Sequence, residues 1–169
     1  MKSNIVSIAA IVGCLFAPLV GLADEKDHHD DHHGEELERI VAPNGGRVIY
    51  SVEPHLEFYL QDDRTVKITF LDDEGNAVAP GNQSISLIGG DRANPTQLSF
   101  AQSGSSLVSN KALPEGANLP IILNIKAAPS SKTVREKFNL NLSDCPTCDY
   151  KEYACTCDHD EDDHEGHDH

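Results

Sequence analysis

Between Gly45 and Leu142, apolar residues recur at every second position in short runs, and turn-forming residues separate the runs. Arg47-Val48-Ile49-Tyr50 follows the turn sequence Pro43-Asn44-Gly45-Gly46. From His55 to Gln61 the alternation sets Leu56, Phe58 and Leu60 on one face and His55, Glu57 and Tyr59 on the other. Thr65 to Leu71 repeats it with Val66, Ile68 and Phe70 inward, and Asp72-Asp73-Glu74-Gly75-Asn76 reads as a turn. Further strands are expected over 83–88, 97–101, 107–108, 119–126 and 134–142, the last with Val134, Phe138, Leu140 and Leu142 on one side. No stretch of adequate length repeats every 3.6 residues. Seven or eight short strands in about 100 residues predict an all-β domain, a small antiparallel β-sandwich of immunoglobulin-like type. A small barrel is the competing architecture.

The pattern stops at both ends. Lys2 is followed by 21 uncharged residues, Ser3 to Ala23, which read as a signal peptide over 1–23. The run is also long enough for a retained membrane span, but Pro18 and the small residues Gly21 and Ala23 favour cleavage. Ile11-Val12-Gly13-Cys14 resembles a bacterial lipoprotein box, in which Cys14 would carry the lipid; against it, Leu15 to Ala23 stays apolar. Membrane attachment is expected only in that case. Either way the chain is exported, a periplasmic location is expected, and disulfides become permissible.

Charge divides the chain in the same places. The 169 residues carry a net charge of −15, of which 24–38 and 158–169 contribute −7 each. The nine histidines follow suit, four in each acidic segment and only His55 between them. The expected organisation is therefore a His/Asp-rich disordered segment over 24–38, a nearly neutral β-domain over 39–143, and a Cys cluster with a His/Asp-rich tail over 144–169. So acidic a chain is a poor partner for nucleic acid, and cations are its natural complement.

The ends carry ligand chemistry. His28, His29, Asp30, Asp31, His32 and His33 supply imidazole nitrogen and carboxylate oxygen, the donors preferred by Zn²⁺, Ni²⁺, Co²⁺ and Cu²⁺. His159, His164, His167 and His169 repeat that chemistry at the other end. Cys145-Pro146-Thr147-Cys148 and Cys155-Thr156-Cys157 place four thiols within 13 residues. These four either wrap one soft or borderline ion, Zn²⁺ or Cu⁺, or form two disulfides in an oxidising compartment. A redox role for Cys145 and Cys148 is the weaker third reading, since no βαβ pattern precedes them. His55 and Glu57 share a strand face and could offer a nitrogen and a carboxylate to one ion; the plainer reading is two polar residues on a solvated face. The domain has no nucleotide loop, no nucleophile elbow and no His-Glu-x-x-His helix, so an enzyme is not expected.

Three segments carry a resemblance: Ala42-Pro43-Asn44-Gly45-Gly46-Arg47-Val48, Pro54-His55-Leu56-Glu57-Phe58, and Val66 to Asp72 with Gly75 and Val78. Over roughly residues 42–80 the chain resembles the small exported β-domains that accompany bacterial heavy-metal efflux systems of the resistance-nodulation-division type. Those domains occur alone or at the N-terminus of the periplasmic adaptor (membrane fusion) subunit. Asn44 stands where that pattern has a turn histidine, which weakens a metal site at the turn, whereas His55 and Glu57 fit it. The resemblance implies a periplasmic β-module concerned with metal, with an efflux complex or its adaptor as partner. The expected function is to buffer transition-metal ions, with Zn or Cu the expected ones among Zn, Cu, Ni and Co, or deliver them to such a system. The alternative is a structural adaptor whose tails only keep it soluble.

Overall fold

The computed structural model describes residues 39–157, and these form the small all-β domain that the alternation predicts. The strands are β1 (Arg47–Ile49), β2 (His55–Leu60), β3 (Val66–Leu71), β4 (Ala77–Val78), β5 (Ser84–Gly89), β6 (Thr96–Ser103), β7 (Ser106–Ser109), β8 (Asn118–Lys126) and β9 (Val134–Asn141). A single 3₁₀ turn, Glu152–Ala154, follows them. Every pairing is antiparallel, in the order β1-β2-β3-β7-β6-β5-β8-β9, with β4 beside the end of β3.

The strand path is continuous and curled. Its bend lies in β6, whose first half pairs with β5 (Leu98 opposite Leu87) and whose second half pairs with β7 (Ala101 opposite Val108). Two halves of one path therefore face each other across a shared core, where a sandwich would have two separate sheets. β8 shows the cause most simply: Leu119, Ile121, Leu123 and Ile125 are buried while the residues between them are not. Leu56, Phe58, Val66, Ile68, Phe70, Leu87 and Leu140 complete a core in which each full side chain contributes about 1.5–3 kcal/mol.

The curl brings the two edge strands together. The Arg47 guanidinium of β1 lies 5.0 Å from the centre of the Phe138 ring of β9, and Phe58 meets the same ring edge-on at 5.1 Å. Tyr153 joins this contact from the 3₁₀ turn, edge-on to Phe58 at 6.1 Å. Residues 144–157 are thus packed on the β-domain where its edges meet, beyond the boundary at 143 that composition drew. Among the described residues no helix is long and apolar enough to cross a membrane.

Candidate metal centre

The cysteine segment folds back on itself before it reaches the 3₁₀ turn. Cys145 N donates to the Tyr150 carbonyl at 2.9 Å, and Asp144 pairs with Lys151 through a backbone bridge and an ion pair. This closes Cys145-Pro146-Thr147-Cys148 into a tight loop, to which Pro146 contributes its fixed φ. Glu152 N then donates to the Ser143 carbonyl at 3.0 Å. Buried Tyr153 and Ala154 anchor the turn in the core, and Cys155-Thr156-Cys157 leaves from it. A hydrogen-bonded loop positions one pair of thiols, and packing positions the other.

The Sγ atoms of Cys145, Cys148, Cys155 and Cys157 all lie within 4.8 Å of one another, and all four groups are thiols. Cys155 Sγ is 3.3 Å from Cys145 Sγ and 3.7 Å from Cys148 Sγ. Four thiolates at about 2.3 Å from a tetrahedral ion stand about 3.8 Å from each other. The cluster has close to that size. Disulfides would divide the sulfurs into two pairs at about 2.05 Å, whereas here all four stand unbonded within 4.8 Å of one another.

Donors surround the sulfurs. The Thr147 N–H points at Cys145 Sγ at 3.4 Å, the Thr147 hydroxyl lies 3.2 Å from the same atom, and Cys157 N donates to Cys155 Sγ at 3.2 Å. Such N–H···S contacts spread the charge of a thiolate and orient it toward an ion. The Thr147 hydroxyl, helped by its N–H and the Cys155 and Cys148 thiols, outweighs desolvation and draws Cys145 down to about 6. Cys155 is pushed up to about 12, chiefly by burial, against the Cys157 N–H that favours its thiolate. Cys148 is raised too: the Tyr150 N–H favours its thiolate, but desolvation and the neighbouring Cys145 and Cys157 prevail. Coupled in this way, the thiols lose successive protons with rising difficulty until a cation shares their charge. Arg47 donates to the Tyr153 carbonyl at 3.2 Å and Arg39 to the Thr156 carbonyl, so both guanidiniums hold the backbone around the second pair. A hollow of about 280 Å³, lined in part by Arg39, Arg47, Tyr50, Cys155 and Cys157, gives the cluster an open side.

Glu57 stands elsewhere in function than the alternation implies. It is fully buried, because the 42–46 turn folds over the face expected to meet solvent. Its carboxylate accepts from Asn44 N at 2.9 Å, Asn44 Nδ2 at 2.6 Å and Gly46 N at 2.8 Å. Lys67 Nζ completes the arrangement by donating to Asn44 Oδ1 at 2.9 Å. Gly46 permits the close approach: a Cβ there would lie 2.3 Å from the Phe58 carbonyl oxygen. The carboxylate is committed to the turn. The ligand atoms that converge with that of His55 belong instead to Glu53 and Asp73, neither of which the residue pattern singled out. His28, His29, Asp30, Asp31, His32, His33, His159, His164, His167 and His169, with the signal segment and Cys14, lie outside the described residues.

A hollow of about 610 Å³ on the other half of the sheet is lined by Ile88, Ile121 and Phe138 among others, with Arg92 and Lys137 as its charged groups. It offers cations and apolar surface, and no acid, thiol or imidazole. Comparison with protein-family models, with curated proteins and with solved structures finds no match to this chain. The resemblance over residues 42–80 therefore rests on those residues alone.

Proposed function

We propose that this chain is an exported metal-binding protein, which holds Zn²⁺ or Cu⁺ at its four cysteines, collects further ions on its His/Asp-rich ends, and buffers or delivers them to a heavy-metal efflux system. The observation that carries the reading is the convergence of four thiols within 4.8 Å. A tetrahedral S₄ set is the coordination preferred by Zn²⁺ and other thiophilic ions. The tails support the collecting role by composition, and the link to efflux rests on the resemblance. Closed four-ligand sites act structurally in many proteins, and this one lies where β1 and β9 meet, which favours a second reading as a structural adaptor stapled by one ion.

Metal counting on the full chain separates them. Zinc and copper are measured on protein isolated from its own cells, then on a variant with Cys145 and Cys148 changed to Ser, and on one lacking 24–34 and 158–169. The buffering reading expects several ions, one lost with the cysteines and most of the others with the ends. One ion per chain, unaffected by the deletions, selects the adaptor. Protein that carries no metal, with its thiols consumed in disulfides or exchanging with a dithiol, would remove the metal reading altogether.

A further inference from the structure

Outside the cysteine segment, one other group of described residues brings three ligand atoms together: Glu53, His55 and Asp73, all within 4.8 Å of one another. We propose that these three form a second, open site for a borderline divalent cation such as Zn²⁺, Ni²⁺ or Co²⁺. The ligands are one imidazole nitrogen and two carboxylates, with no sulfur, so the site belongs to a different chemical class from the thiol cluster. It deepens the metal-binding reading and rests on it for biological sense, although its residues are independent of the cysteines.

The histidine is held as a ligand should be. His55 Nδ1 lies 2.9 Å from the Val52 carbonyl oxygen, an acceptor only, so Nδ1 carries the hydrogen of the neutral ring. Nε2 is then the atom left to ligate, and it stands 3.5 Å from Glu53 Oε1. The Tyr50 ring packs edge-on against the imidazole at 5.2 Å and limits its rotation. Asp73 arrives from the turn after β3. The adjacent Asp72 makes that turn's hydrogen bonds, accepting from Glu74 N at 3.1 Å and Asn76 N at 2.7 Å. Two carboxylates this close repel each other, and a divalent ion between them relieves that repulsion. Three protein ligands leave coordination positions for water or an incoming group, the property of a site that exchanges its ion, in contrast to four thiolates that enclose one. Tyr50 also lines the hollow beside Cys155 and Cys157, so the histidine site and the thiol cluster share a wall.

The test titrates the full, isotope-labelled chain with Zn²⁺ and follows the His55 ring and Val52 methyl NMR signals. The absorption of a Co²⁺–thiolate complex reports on the cysteines separately. The variants are E53Q and D73N, combined; Glu53 and Asp73 are both exposed, so folding is spared. Expected is a saturable shift of the His55 signals, with the apparent affinity weakened at least about tenfold in the double variant and the Co²⁺–thiolate band unchanged. His55 signals that stay still when Zn²⁺ saturates the rest of the chain overturn the proposal, as does an identical response in E53Q/D73N. A His55 response to pH that changes in E53Q/D73N without any response to Zn²⁺ means an ion pair only, and overturns it equally. If the His55 response stands while no thiolate band forms, the open site survives and the cysteine site of the proposed function fails.

Discussion

Changing Glu57 separates its two readings, ligand and anchor, because they differ in both stability and metal content. In the structure its buried carboxylate serves three donors of the 42–46 turn. A hydrogen bond to a charged group is worth about 1.5–3 kcal/mol net, and an orphaned buried donor costs about as much. Only the Gly46 N–H contact is fully buried; the two Asn44 donors are part-buried and can recover water. One full loss and two partial ones put Glu57→Ala at about 3–5 kcal/mol. Glu57→Gln keeps an oxygen for Asn44 N and Gly46 N, but its new NH₂ faces Asn44 Nδ2. Asn44 must then turn its amide over and give up the bond from Lys67, a cost of about 1–3 kcal/mol.

Urea unfolding of the three proteins checks these values, with the slope m unchanged, since the surface exposed on unfolding is the same. Ions per folded chain should also be unchanged in Glu57→Gln, because its carboxylate belongs to the turn. If both variants fall within about 0.5 kcal/mol of the parent, a range typical of surface sites, the turn does not depend on Glu57. Loss of a bound ion from well-folded Glu57→Gln would restore the ligand reading instead.

Gly46→Ala drives a methyl against the Phe58 carbonyl and should cost about 1–3 kcal/mol in the same urea assay; an unchanged midpoint would mean that β1 and β2 are looser than described. Asp63 is held below the usual carboxylate value, first by the Thr65 hydroxyl and then by the Thr65 N–H. A folded-state pKa below the unfolded one contributes stability that is complete above about pH 4 and lost as pH falls through the folded value. The melting-temperature gap between the parent and Asp63→Asn should therefore narrow below pH 4; a gap constant down to pH 2.5 contradicts that sign. Stripping metal with a chelator, or replacing Cys148 by Ser, should speed amide hydrogen exchange at Tyr150–Ala154 while β8 stays protected, since the ion would fasten that segment to the core. Equal exchange with and without metal would mean that the packing of Tyr153 and Ala154 and the hydrogen bonds around them hold the segment without an ion.

Eight of the nine strands were legible, most from an alternation of their own and β7 from the apolar pair Leu107-Val108 set among polar residues. β4 was not, since Ala77-Val78 is a two-residue run with one small side chain, directly after a turn. The switch of β6 between partners was also hidden, because alternation reports which face is buried and not which strand lies alongside. Glu57 shows the limit most plainly. Its position in the alternation is that of a solvent-facing residue, and only the fold of a turn 11 to 13 residues upstream buries it. The cysteines could be found because all four lie in one short segment, although nothing local distinguishes a tetrahedral set from two disulfides.

The His55 group belongs to a third kind, for which the register gives the neighbourhood and a bend and a turn give the rest. β2 and β3 pair so that His55 opposes Leu71 and Leu56 opposes Phe70. The ladder ends at His55 and Leu71, and Glu53 lies in the bend just before β2 while Asp73 lies in the turn just after β3. The register brings the bend and the turn to the same end of the hairpin, and their local folds carry the two carboxylates to His55. The hairpin therefore gives the neighbourhood, and the irregular backbone beside it completes the group. A tight turn centred on Asp63, with Arg64 in the left-handed region at φ 62°, sets that register. A two-residue deletion in 61–65 that shifts the pairing while keeping each side chain on its own face would carry Asp73 away from His55 and leave every ligand in the chain. Such a variant tests whether the site is made by its residues or by their register.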